Sequence, residues 1–398
     1  MIENLDRLET IPKDLTVLSG KHDCVRFEYE HARPYLAKAD TITLQIALST
    51  DGGPECIIAE QFPEDADTFE LLAKSLRQKP IKLNGPLALD PVFIPKPWGQ
   101  EIWFSGIEER GISTCQGTPI AWLMDIFGQQ LGCQGAPLLL KILDPLPTEN
   151  IGDLYFELHS KKVEVYIVTN IDPLAWPDGV GRIRYGFDQS LLAKYETQAE
   201  FLSDYRRAVK DYEQIRRAID SGSSGLDLLE TSLREEMYRF TASQSVRQGD
   251  IITVEPFVPH SLQHGVRVIE FQTPHYERYI LSFGQKVLTQ DHWDTDEALK
   301  VAKLDEASFA SDNGNKIVAE FDEFTVERIS IESGETEELI TDRYQILAGI
   351  EGSMNCGPDA LLIPESAWFL PPRQNGYKVQ NLTDKPGVFL RATETQFS

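Results

Sequence analysis

The residue types best suited to chemistry in this chain lie in two stretches. In the first, Leu154-Tyr155-Phe156-Glu157-Leu158-His159, an extended backbone sends successive side chains to opposite faces. Leu154, Phe156 and Leu158 then share one side, and Tyr155, Glu157 and His159 share the other. Glu164 follows in Val163-Glu164-Val165-Tyr166-Ile167, a second strand pattern close enough to pair with the first through the turn Ser160-Lys161-Lys162. The other stretch runs from Gly249 to His260 and reads as a turn, a strand, and a histidine delivered at a Pro-bounded end. Imidazoles and carboxylates gathered around one point are suitable ligands for a divalent metal such as zinc, manganese or iron(II). Spacing alone leaves a blander reading open, a solvated strand face on which His159 is bound by a neighbour. His264, four residues beyond His260, shares its face in an extended segment and is a rival ligand.

The elements that must carry these residues are mostly strands. Residues 23–60 hold β-rich runs broken by Asp51-Gly52-Gly53-Pro54, and Asp67 to Arg77 places Phe69, Leu72, Ala73 and Leu76 at helical spacing behind an Asp cap. Residues 1–90 therefore read as a small α+β unit. Strand patterns return from Pro91 to Gly186. Between about Ser190 and Ser245 the period becomes helical, with Leu191, Tyr195, Phe201, Tyr205, Val209 and Tyr212 recurring among charges and Ser221 to Gly225 forming a loop. Strands resume from Ile251 to Phe283. After an acidic, mostly helical connector, Asp294 to Ala310, they dominate residues 317–394. Many short strands with Gly and Pro turns point to a mainly β chain of sandwiches or barrels, jelly rolls first among them.

Composition narrows the partners. A chain of 398 residues suggests about two or three domains at ~150 residues each. Lys and Arg number 38 against 63 Asp and Glu, a formal charge of -25, so nucleic acid and anionic membranes would be repelled over most of the surface. A small anion remains compatible wherever a few cations converge. The first residues, MIENLDRLETIPKDL, lack the pattern of a signal peptide, and no apolar run approaches the ~20 residues of a membrane span, so a cytoplasmic protein is expected. Its oligomeric state is left open. The five cysteines (Cys24, Cys56, Cys115, Cys133, Cys356) are scattered without a C-x-x-C pair, which points to buried or idle thiols rather than disulfides or a thiolate zinc site.

Several segments together resemble a known family. The E-x-H-x4-E spacing is similar to the first motif of the cupins, with Glu157 where His or Gln is usual, and Gly249 to His260 resembles the second. Phe93-Ile94-Pro95-Lys96-Pro97-Trp98-Gly99 resembles the opening of type I phosphomannose isomerases, and Pro137 to Asp144 their strand before the metal motif. Lys162-Val163-Glu164 is similar to their K-x-E strand, Tyr185-Gly186-Phe187 to their Y-G-F strand, and residues 190–245 occupy the place of their helical insertion. His260, Gly265 and Glu270-Phe271-Gln272 follow their spacing, Tyr276-Glu277-Arg278 resembles their Y-x-R, and residues 324–329 and 344–352 resemble their second cupin domain.

That resemblance covers about residues 91–395 and implies two cupin jelly-roll barrels. The first spans 91–285 with the helical insertion at 190–245, the second spans 286–398, and residues 1–90 are an added N-terminal α+β segment. It implies a divalent metal, usually zinc, bound by Glu157, His159, Glu164 and His260. The implied activity is interconversion of mannose 6-phosphate and fructose 6-phosphate through an enediol, with a small sugar phosphate as the partner. In that scheme Arg278 stabilises the developing oxyanion, Glu270 serves acid/base transfer, Lys162 and Lys96 contact substrate, and Arg184, with Arg182 and Arg267, serves the phosphate. The usual Q-x-H-P reads Glu157-Leu158-His159-Ser160 here, so a neutral ligand has become a carboxylate. With Glu157 and Glu164 both ionised, a divalent site would be neutral. The alternative is thus a metal-binding cupin that holds a carbohydrate or other small ligand without isomerising it. A cupin iron oxygenase is disfavoured by the Trp-Gly and Tyr-x-Arg segments.

Overall fold

The computed structural model describes residues 3–5, 7–19, 24–286, 292–307, 309 and 316–395. Two compact units emerge, one built from residues 1–93, 103–141 and 315–398, the other from 94–102 and 142–314.

In the first unit, five strands lie in the order Glu3–Asn4, Cys24–Arg33, Asp40–Ser49, Glu55–Ala59 and Ile81–Lys82. Helix Phe69–Leu76 packs its Phe69, Leu72, Ala73 and Leu76 against Cys24, Ala47 and Ile57 of that sheet, as the 3.6-residue spacing requires. The cap is Thr68, whose hydroxyl accepts from the Leu71 N–H, rather than the Asp expected. Arg77, in a left-handed conformation, ends the helix. Elsewhere in this unit an eight-stranded and a four-stranded sheet share one apolar core. Ile329, Leu347, Leu370 and Phe389 come from the larger sheet, and Leu339, Met354, Leu362 and Val379 from the smaller, which is the two-layer arrangement alternating strands predict.

Most strands of the second unit lie in another pair of sheets. One has the order Ile251–Val254, Glu164–Ile171, Val266–Gln272, Leu139–Pro145, Gly99–Trp103, Val92–Lys96. The other runs Thr241–Val246, Gly181–Phe187, His260–Leu262, Phe156–Leu158, Tyr279–Ser282. Helices Gln198–Asp220 and Asp227–Tyr238 form the expected helical insertion, the first opened by a Thr197/Glu200 capping box. Phe201, Tyr205, Val209 and Tyr212 recur along its buried stripe and join the core of this unit. Mainly antiparallel sheets with one helical insertion is thus the architecture.

Two expectations are corrected. The connector from Asp294 to Ala310 holds one four-residue helix, Thr295–Ala298, and is otherwise irregular in its described part; residues 308 and 310 lie outside the described residues. The strand carrying Glu157 does not pair with the strand carrying Glu164. Phe156–Leu158 pairs with His260–Leu262 and Tyr279–Ser282, whereas Glu164–Ile171 pairs with Ile251–Val254 and Val266–Gln272 in the other sheet. Ser160-Lys161-Lys162 therefore crosses between sheets instead of closing a hairpin. Among the described residues no helix is long and apolar enough to cross a membrane.

Candidate metal centre

That crossing lets four polar side chains meet from two sheets. Glu157 stands opposite His260 in the antiparallel register, which puts both on one face, and His159 follows two residues beyond Glu157. Glu164, the first residue of its strand, reaches them from the other sheet. Its Oε1 lies 3.5 Å from His159 Nε2 and its Oε2 lies 3.3 Å from His260 Nε2. Glu157 Oε1 is 3.9 Å from His159 Nε2, and the ligand atoms of Glu157, His159 and His260 all lie within 4.8 Å of one another. His159, His260 and Glu164 are buried, while Glu157 keeps 19 % of its side chain accessible and marks the open side of the cluster.

The histidines are oriented by carbonyls. His159 Nδ1 lies 2.9 Å from the Glu277 carbonyl and His260 Nδ1 lies 3.0 Å from the Val258 carbonyl. A carbonyl can only accept, so each ring carries a proton on Nδ1, which leaves Nε2, turned inward, as the nitrogen available to ligate. Neither Nε2 makes a hydrogen bond, and neither does Glu157 Oε2. Buried polar atoms without hydrogen bonds are costly, and three of them converging in one place, each of a kind that ligates metals, fit a divalent cation. Ligation also requires a neutral imidazole. Burial, reinforced by the Lys162 ammonium, holds His159 well below the usual imidazole range, so it is neutral and able to ligate near pH 7. Burial pushes Glu164 upward, but its neighbours, the Lys162 ammonium first, outweigh it and hold its carboxyl well below the ordinary value.

The surrounding residues fix these groups. Lys162 forms an ion pair with Glu164 Oε1. Tyr166 donates 2.7 Å to Glu164 Oε2, and burial followed by the charges of Glu164 and Glu270 keeps its phenol protonated. Glu277 Oε1 accepts from the backbone N–H groups of Ser160, Lys161 and Lys162 at 3.1, 2.7 and 3.3 Å, which ties down the crossing segment. Phe257, at φ +69°, adopts a left-handed conformation rare for a bulky residue, and its N–H donates 2.7 Å to the His159 carbonyl. The turn that delivers His260 is thereby bound to the segment that delivers His159.

Of the residues singled out in the sequence, Glu157, His159, Glu164, His260 and Lys162 come together. Glu270, fully buried, faces the same side as Glu164, being in register with Tyr166. Arg278 lies at the rim, its Nε 4.0 Å from Glu157 Oε2 and its guanidinium 4.7 Å from the Tyr155 ring centre. Arg184 is not brought in. It pairs in register with Ser261, not His260, so it points to the opposite face, where it stacks 3.8 Å over Tyr238 and donates to Thr241. Lys96 lies on the outermost strand of its sheet, ion-paired to Glu101 at 3.0 Å. Arg267 pairs with Asp144. His264 also lies apart: its Nδ1 is 2.7 Å from Asp153 and its ring stacks on Trp176.

Tyr166 and Glu277 were not assigned roles from the sequence. Strand alternation from Glu164 could have found Tyr166, two residues on. Nothing local marks Glu277, whose partners lie more than a hundred residues upstream.

No protein-family model and no curated protein matches the sequence. Solved structures do match the fold. The mannose 6-phosphate isomerase of Bacillus subtilis aligns with a TM-score of 0.53 at 18 % identity, covering 78 % of this chain and 100 % of its own. The apo mannose 6-phosphate isomerase of Salmonella typhimurium aligns with a TM-score of 0.55 at 10 % identity, again over 78 % and 100 %. A zinc-bound mannose 6-phosphate isomerase aligns with a TM-score of 0.53 at 10 % identity over the same shares. At these identities the likeness is one of fold.

Proposed function

We propose that this chain is a divalent-metal-dependent aldose–ketose isomerase that interconverts mannose 6-phosphate and fructose 6-phosphate, with zinc as the first candidate metal. The observation that carries the reading is the pair of buried imidazoles, each fixed through Nδ1 with Nε2 turned inward, beside Glu157 and Glu164. These four residues would hold the ion. When bound, it supplies positive charge that polarises a substrate carbonyl.

The chain's own residues would do the rest. Arg278, at the open rim, would face the oxygen that gains charge as an enediol forms, and one preorganised donor of this kind is worth about 3 kcal/mol in the transition state. Glu270 would move the proton between C1 and C2, provided a substrate carbon comes within ~3 Å of it. Lys162 is committed to Glu164 and would tune that carboxylate while lending a cation to the substrate oxygens. Arg184 faces away from this cluster and Lys96 is ion-paired to Glu101, so neither is given a role in this scheme.

The test is a coupled assay with mannose 6-phosphate on metal-stripped and zinc-, manganese- or iron(II)-loaded protein, with thermal melts in parallel. Metal at a hundredfold its Kd should stabilise the wild type by about 2.7 kcal/mol. His260→Ala should lose both the turnover and that stabilisation. Equal metal-dependent melting shifts in wild type and His260→Ala would refute the ligand set. A second reading, a metal-binding protein that holds a carbohydrate without isomerising it, is favoured by Glu157, which adds a second carboxylate to the ligand set. Metal binding with no turnover would establish it in place of the first.

A further inference from the structure

Tyr166 sits where it can control how Glu164 behaves. It follows Glu164 by two residues on Glu164–Ile171, so the two side chains turn to the same face of the sheet. Its side chain is buried, its ring centre is 6.0 Å from that of His260, and its hydroxyl donates a 2.7 Å bond to Glu164 Oε2. The other oxygen, Oε1, takes the Lys162 ammonium and faces His159 Nε2.

An ionised carboxylate offers about four lone-pair positions, two on each oxygen. Left unrestrained, it can swing about its last torsion, or grip a cation with both oxygens at once. Here the phenol is anchored to a strand with neighbours on both sides and resists either change. Ile252 and Glu270 stand in register with Tyr166 on those two flanking strands. A buried hydroxyl among carboxylates also has no competing role in packing that phenylalanine could not fill.

We propose that Tyr166 is a positioning residue of the metal centre, whose hydroxyl reserves Oε2 of Glu164 so that this carboxylate meets a divalent cation through Oε1 alone, the oxygen beside His159 Nε2. The inference rests on the reading of the cluster as a metal centre and deepens it. It concerns a residue that touches no substrate and acts through Glu164. Outer partners of this kind hold a ligand's orientation, and their removal costs 10–100-fold in metal affinity.

The experiment compares wild type, Tyr166→Phe and His260→Ala as full chains. Each is stripped of metal, titrated with zinc against a chromophoric chelator, and separately loaded with cobalt(II) for its visible spectrum. Phenylalanine keeps the ring volume, so a packing role alone would leave both readouts unmoved. Tyr166→Phe should bind zinc about tenfold more weakly. Its cobalt(II) bands should lose intensity as the released oxygen of Glu164 turns to the ion and raises the coordination number. An affinity within twofold of wild type overturns the proposal, and so does a weaker affinity with an unchanged cobalt spectrum, because Glu164 would then not have moved. Zinc binding by wild type that is lost in His260→Ala keeps the metal reading intact in either of those cases. If wild type binds neither zinc nor cobalt(II), the metal reading fails and this inference falls with it.

Discussion

Truncating Glu277 to alanine tests whether the crossing segment is what assembles the centre. Its Oε1 takes three backbone N–H groups, from Ser160, Lys161 and Lys162, and lies 3.4 Å from the Ser160 hydroxyl. Lys161 is exposed, so water replaces its bond at little cost; Ser160 is half-buried and Lys162 buried, so theirs are not replaced as well. A hydrogen bond to a charged acceptor is worth about 1.5–3 kcal/mol, and recovering the hydration of one carboxylate offsets part of two such bonds, leaving a loss of about 3 kcal/mol. The unit concerned has about 180 residues, for which 1 kcal/mol moves the melting temperature about 2–4 °C, so Glu277→Ala should melt roughly 6–12 °C lower. His159 and Glu164 flank the freed segment, and zinc affinity should fall about 10–100-fold, as for a lost outer partner. Glu277→Gln keeps a neutral acceptor and should recover about half of the melting shift. Calorimetry of the metal-free proteins and a chelator titration read the two effects. A melting temperature within 2 °C of wild type together with an unchanged zinc Kd would refute the argument that this carboxylate holds the segment, by roughly the margin that separates a surface substitution from a buried one.

Glu157→Gln should raise turnover of mannose 6-phosphate about tenfold. A unit charge at ~4 Å in an effective dielectric of ~20 interacts by about 4 kcal/mol, and if about a third of it acts on charge gained only in the transition state, ~1.4 kcal/mol results. A fall in kcat in the coupled assay would sink the view that the extra carboxylate restrains the reaction. The metal-free protein should lose stability as pH falls from about 6.5. His159 is held well below its ordinary value, so the unfolded chain takes up a proton first, at up to about 1.4 kcal/mol per pH unit. Glu164, also depressed, adds its loss only below its ordinary value of 4.5, and His159→Gln should flatten the upper part of the curve. Chemical denaturation between pH 7 and 4 reads this, and parallel curves for the two proteins would contradict it. The five cysteines are all buried, Cys24 pushed up to about 11 and Cys356 to about 12 by desolvation, and the other three pushed up as well. Native protein at pH 8 should therefore show no fast-reacting thiol with an aromatic disulfide reagent, and all five once unfolded; a rapid native reaction would show that one of these sites opens.

Local patterns carried a good deal of this. Alternation in Leu154 to His159 put Glu157 and His159 on one face, and the helical stripe of Phe201, Tyr205, Val209 and Tyr212 gave the insertion, because side-chain direction along a strand or a helix is set by the backbone repeat. The same repeat could not say which strands pair. Ser160-Lys161-Lys162 is as compatible with a hairpin as with a crossing between sheets, and what decides for the crossing is Glu277, distant in sequence, accepting from all three N–H groups. Distance along the chain is also why Arg184 read as a substrate contact: its charge was visible, but the register with Ser261 that turns it away from His260 was not.

The sequence by itself determined the ingredients: a mainly β chain with a helical insertion, the two histidines and two glutamates, and a strongly acidic balance of charge. Only the tertiary structure decided that these four meet, that His264 belongs with Asp153 and Trp176 instead, and that carbonyls of Glu277 and Val258 turn both Nε2 atoms inward. The reason is physical. Residue type and local repeat are properties of neighbours along the chain, whereas ligand geometry and protonation depend on strand pairing and burial, which are set by contacts between segments a hundred residues apart.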